Sequence, residues 1–119
     1  TDLSAIASYT EDLLTANPDL VGFVCLNDNS ALACYGMCKQ MDRSDAIVIG
    51  FDGSPAGKQS IAANEMTGTM VYSPVDLAKA SCEAALALAG GQEVERDTMI
   101  EMWMINRDNI DEQDLENWT

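Results

Sequence analysis

Three polar side chains close three successive apolar runs. Asn27 follows VGFVCL, Asp52 follows AIVIGF, and Tyr72 ends GTMVY. The gaps are 25 and 20 residues, each the length of one strand–helix unit. In a parallel sheet such ends lie side by side, so the three groups can converge on one crevice. A carboxylate accepts two hydrogen bonds, which suits vicinal hydroxyls, and a carboxamide offers both a donor and an acceptor. A tyrosine adds a flat apolar face and a hydroxyl. That set suits a neutral polyol; Asp52 would repel a carboxylate or a phosphate. Each residue also has a plainer reading. Asn27 could simply end a strand, Asp52 could cap the next helix, and Tyr72 could pack. Phe51 is core or pocket wall, and Asp28 is read as structural: it or Asn29 would cap the helix that follows. Trp103 and Trp118 carry no positional signal beyond burial or an interface.

The elements that would position these groups can be read in order. Ala46–Pro55 (AIVIGFDGSP) is a short apolar run bounded by turn residues, the pattern of a buried strand. Ser54 then serves as N-cap and Pro55 as first helical residue, where the missing N–H costs nothing. The expected helices are residues 1–16, 30–41, 55–64 and 74–89, the last stopped by Gly90-Gly91. The expected strands are 21–26, 46–52, 68–72 and 98–105, with Glu101 weakening the last. Alternating helices and strands imply an α/β fold, one three-layer domain with a mostly parallel sheet covered on both faces. The acidic stretch 108–119 reads as surface or frayed.

Composition excludes several functions. The net charge of −14 argues against nucleic acid or an anionic membrane, which need Lys and Arg. There is no His, which removes histidine acid–base chemistry and the commonest metal ligand. Cys34 and Cys38 are not spaced as a zinc knuckle or redox pair, so Cys25, Cys34, Cys38 and Cys82 read as buried free thiols, with no metal. No G-x-S-x-G, P-loop or G-x-G-x-x-G occurs, and no cofactor is called for. No run approaches the roughly 18 apolar residues of a membrane span. A doubly wound domain normally begins on a strand, whereas this chain opens on a helix at Thr1. The expectation is a back part of a larger domain, with residues 21–26 at a sheet edge through which the chain would dimerise.

Read together, several of these motifs resemble a known family. They are Asn27-Asp28-x-x-Ala31-Leu32, Gly50-Phe51-Asp52-Gly53-Ser54-Pro55 with Gly57, Thr69-x-x-x-x-Pro74, and Asn106-x-x-Asn109-Ile110-Asp111. The combination is similar to the carboxyl-terminal lobe of type I periplasmic sugar-binding proteins, the ribose/galactose-type solute-binding components of ABC importers. The resemblance covers nearly the whole chain. It implies two α/β lobes joined by a hinge and closing on one monosaccharide, with residues 1–119 a fragment of the second lobe and the amino-terminal lobe missing. It further implies that Asn27 and Asp52 hydrogen-bond sugar hydroxyls. The family often has Gln where Tyr72 stands, which puts the identity of the sugar in question.

The expected function is therefore extracytoplasmic capture of a pentose, hexose or similar polyol without catalysis, and delivery to an ABC permease from the periplasm or as a cell-surface lipoprotein. The ligand set is Asn27, Asp52, Tyr72 and Phe51. The alternative is the effector-binding domain of a LacI-type transcription regulator, and a third class is a sensor ectodomain. An enzyme is the weakest reading.

Overall fold

A computed structural model describes residues 2–118. Helix α1 (Leu3–Ala16) begins at Asp2, whose Oδ1 accepts from the Ser4 and Ala5 amides, and stops at Asn17, before Pro18. Strand β1 (Gly22–Val24) leads to α2 (Asp28–Gln40), β2 (Ile47–Phe51) to α3 (Pro55–Ala62), and β3 (Gly68–Tyr72) to α4 (Pro74–Ala89). Strand β4 (Met102–Asn106) and a 3-10 turn at Ile110–Glu112 complete the order. Ser54 and Ser73 each cap a helix whose first residue is proline, as the sequence implied.

The sheet order is β1-β2-β3-β4. β1 and β3 both pair parallel with β2, and β4 pairs antiparallel with β3. The mostly parallel α/β expectation therefore holds, and β1 and β4 are the two edges of the sheet. Val24 on the β1 edge is 84% exposed and Leu26 86%. On the helical face, Val48, Val71 and Ile105 are wholly buried beneath Ala31, Cys34, Cys38 and Ile61. Ala31, Cys34, Tyr35 and Cys38 form the buried apolar stripe of α2.

The covering of the second face differs from expectation. Helices α1, α2 and α3 pack in one layer. α4 makes no extended contact with the sheet and buries none of its residues. Pleating turns Val24, Ile47, Ile49, Phe51, Met70 and Tyr72 toward the uncovered side. The cause is the direction of α4. It leaves β3 outward for about 24 Å. The chain then returns alongside it through residues 94–100, which share shallow clefts with α4. An out-and-back excursion delivers β4 antiparallel, whereas a crossover would have delivered it parallel. The radius of gyration is 17.6 Å, against about 13–14 Å for a compact chain of this length.

Two further expectations are corrected. Asn27 caps α2, not Asp28 or Asn29: its Oδ1 accepts from the Ser30 amide at 2.9 Å. The acidic tail is not frayed. Ile110 is buried, and Leu115 packs on the core. Lys58 Nζ donates to the Asn117 carbonyl at 2.7 Å, and Gln59 Nε2 to that of Leu115 at 3.1 Å. The acidic composition hid these anchors.

Asp28 is 1% exposed and joins three elements. Its Oδ2 accepts from the Ser54 amide and hydroxyl, both at 2.7 Å, and its Oδ1 accepts from Thr69 Oγ1 at 2.6 Å. The carboxyl leaves no room for a side chain at Gly50 or Gly57, where an added Cβ would collide with it. Asp28→Ala strands three buried donors, each worth roughly 1.5–3 kcal/mol when bonded to a charge. Urea unfolding is expected to show a loss of about 3–5 kcal/mol. A loss no larger than the ~0.5 kcal/mol of ordinary surface changes would remove Asp28 from this role.

Candidate functional site

The carboxyl ends of β1, β2 and β3 lie adjacent, so Asn27, Asp52 and Tyr72 stand at one edge of the sheet. A cleft of about 370 Å³ opens there, lined by Asp52, Tyr72, Pro74 and Trp118. It brings together two of the sequence-selected residues. Asn27 is half-buried and spends its Oδ1 on the α2 cap, which leaves its amide N–H groups as donors. Phe51 reaches the cleft indirectly: its ring centroid lies 6.1 Å from that of Tyr72, at 46°, and so buttresses the Tyr72 ring.

Asp52 does not cap α3; Ser54 does, accepting from the Gly57 amide. Asp52 has φ 111° and Gly53 φ 68°. A non-glycine residue at such a φ carries of order 1–3 kcal/mol of strain and persists only where its surroundings fix it. The Asp52 amide continues the ladder to the Met70 carbonyl at 2.9 Å, the Gly53 amide donates to Thr69 Oγ1 at 3.2 Å, and Ser54 is bound by Asp28. Those three bonds hold the turn, and the Asp52 carboxyl is left facing the cleft. Burial, then the negative charge of Asp28, raises its pKa above the ordinary aspartate value, and no hydrogen bond opposes them. The site thus holds a half-buried acceptor waiting for donors, beside one aromatic ring on a strand and another on the tail.

Trp118 was missed in the sequence because its position depends on a tail that reads as unstructured. Burial draws the Lys58 ammonium, itself 1% exposed, below its usual range. Asp114 accepts from the Glu116 and Asn117 amides and from Asn117 Nδ2, which shapes the last turn before Trp118.

A second cleft, about 300 Å³ and apolar, lies between α1 and β1, walled by Ile6, Tyr9, Leu13, Phe23, Val24 and Leu26. Cys25 and Cys34 also border it. Cys34 and Cys38 are buried free thiols as expected, Cys25 is half-buried, and Cys82 is exposed on α4. Hydrogen bonding from Cys25 draws the Cys34 thiol down, with Thr10 and Cys38 assisting, while the same contact pushes Cys25 up. Among the described residues no three His, Cys, Asp or Glu side chains gather in a way that could hold a metal ion.

Residues 1–93 match the family described as periplasmic binding protein domain. The ribose import binding protein RbsB of Escherichia coli K12 is 26% identical over 95 residues, covering 80% of this chain and 32% of that protein. A D-apiose import binding protein of Actinobacillus succinogenes is 43% identical over 56 residues, 47% of this chain and 18% of its own length. Among solved structures, an ABC transporter solute-binding protein from Mycobacterium smegmatis with bound glycerol superposes with a TM-score of 0.79 at 25% identity, over 92% of this chain and 38% of that one. The chain spans between about a fifth and a third of the length of the curated relatives it matches.

The raised pKa of Asp52 has a thermodynamic sign. A carboxyl with a raised folded pKa favours folding fully below its unfolded pKa, and that contribution is lost as pH rises through the folded value. At neutral pH the charged Asp52 therefore opposes folding. Asp52→Asn is expected to raise the urea midpoint at pH 7, and the gain should shrink as pH falls into the carboxylate range. A midpoint lowered at pH 7 would show that Asp52 has a stabilising partner.

Proposed function

From the premise that this chain belongs to the periplasmic binding protein domain family, we propose that it is the carboxyl-terminal lobe of a two-lobed, extracytoplasmic sugar-binding component of an ABC importer. The observation that carries this reading is the Asp52 carboxyl, held in a strained backbone at a sheet's carboxyl edge with no donor to it among the described residues. Such a group is complementary to hydroxyls and not to an anion. In the same cleft Tyr72, backed by Phe51, gives an apolar wall, and from the neighbouring strand end, outside the cleft lining, the Asn27 amide offers donors. Together they suit a monosaccharide. The relatives' printed functions, import of ribose or D-apiose, are of the same chemical class. The site holds an acceptor, an amide and aromatic surface without a nucleophile–base pair, and its work is capture, not catalysis.

The rest of such a protein has visible places to dock. Val75, Leu77, Leu86 and Leu88 on α4 are exposed, and the apolar cleft between α1 and β1 is open. The first part of this lobe would cover β1, and the amino-terminal lobe would pack on α4. The ABC permease would then engage the closed, two-lobed form. Nothing here favours the regulator alternative.

Micromolar affinity needs about 8 kcal/mol, and an open face offering two or three hydrogen bonds cannot exclude water. Calorimetry with the isolated chain is expected to show no micromolar binding of D-ribose or D-allose. The full gene product should bind a monosaccharide, and Asp52→Ala there should cost about 2–5 kcal/mol. Unchanged affinity in that variant would take Asp52 out of the site. The isolated chain is also expected to sediment above monomer mass through β1, and Val24→Lys to return it toward monomer; a native monomer at high concentration would refute edge pairing.

A further inference from the structure

The cleft contains one residue that neither the motif nor the strand ends explain. Trp118 lines it opposite Asp52 and Tyr72, yet 64% of its surface is uncovered. An indole is costly to leave in water, and the backbone that leads to this one is anchored. Asn117, the residue before it, is tied through its carbonyl to Lys58, a lysine buried in α3. Leu115 is tied to Gln59 and packs on the core. The side chain of Asp114 turns the chain between those two anchors. The tail therefore works as a strap that carries an aromatic face to the cleft.

Resting on the function proposed above, we infer that Trp118 is the specificity-determining residue of this site, and that with Tyr72 it selects ring-form sugars over open-chain polyols. An aromatic face is electron-rich and attracts polarised C–H groups. A pyranose or furanose presents several C–H bonds on one rigid face, while its hydroxyls point outward to Asp52. An open-chain polyol offers the same hydroxyls, but it must freeze several torsions to present such a face and gains less from the ring. The carboxyl thus recognises that the ligand is a polyol, and the strap recognises that it is cyclic.

The test uses the full gene product and a fixed panel: D-ribose, D-allose and D-fucose as ring sugars, xylitol and ribitol as open-chain polyols. Dissociation constants come from calorimetry, with tryptophan emission as a second readout. The native protein should prefer the rings. Trp118→Ala should reduce the ring-over-chain preference about tenfold, and Trp118→Phe should retain most of it. Lys58→Met, which cuts the strap but keeps the indole, should reproduce the loss. Asp52→Asn should weaken both ligand types alike. An unchanged preference in Trp118→Ala, with Asp52→Asn still weakening binding, would overturn this inference and leave the sugar-binding function standing. An unchanged preference in Lys58→Met would overturn the strap. No binding of any panel member by the native protein would overturn both the inference and the function on which it rests.

Discussion

Asp28 must place a carboxyl between two strand–helix junctions and the strand β3, in a space that exists only because residues 50 and 57 have no side chain. Its two oxygens then accept from the turn after β2 and from the middle of β3. A buried carboxylate is expensive unless its lone pairs are met. Once met, it fixes whatever meets it. Here that is Ser54, which starts α3, and Thr69, which in turn accepts from the Gly53 amide. The turn that carries Asp52 is thus bound on both sides by one buried charge.

The consequence is a division of labour between two carboxylates at the end of one sheet. Asp28 is saturated by protein donors and holds the frame. Asp52 is strained at φ 111°, desolvated, and repelled by Asp28, with no donor to offset any of these. All three work against the folded chain; a ligand that brings hydroxyl protons would ease the desolvation and the repulsion, while the backbone strain stays with the turn. The stability supplied by the first acid is what allows the second to be held in a costly state. In the function proposed above, that arrangement would be preorganisation: the acceptor need not rearrange or shed a protein partner before binding.

Much of this frame was legible in the sequence, for local reasons. Ser-Pro at 54–55 and 73–74, Gly90 after α4, and the apolar stripe from Ala31 to Cys38 each act within a few residues of chain. The strand-end positions of Asn27, Asp52 and Tyr72 followed from the alternation of elements. What was not legible depends on distant partners. Asp28 could be read as a helix cap because its true partners, Ser54 and Thr69, are 26 and 41 residues away. The tail looked frayed because its anchors, Lys58 and Gln59, lie on another helix. α4 has an apolar pattern that implies a covered face, and no periodicity could say that the helix would point away from its own sheet.

The direction of α4 bears on the site itself. Pro74 is at once the first residue of that helix and part of the cleft wall, and Tyr72 precedes it by two residues. The only polypeptide between cleft and helix is Ser73, whose hydroxyl caps α4 by accepting from the Asp76 amide. A proline fixes its own φ and restricts the residue before it, so this joint is short and stiff. Any body that packs on the exposed leucines of α4 is therefore coupled to the cleft through Pro74, without a long path of intervening contacts. In the two-lobed reading, docking on α4 and closure over Asp52 become one event.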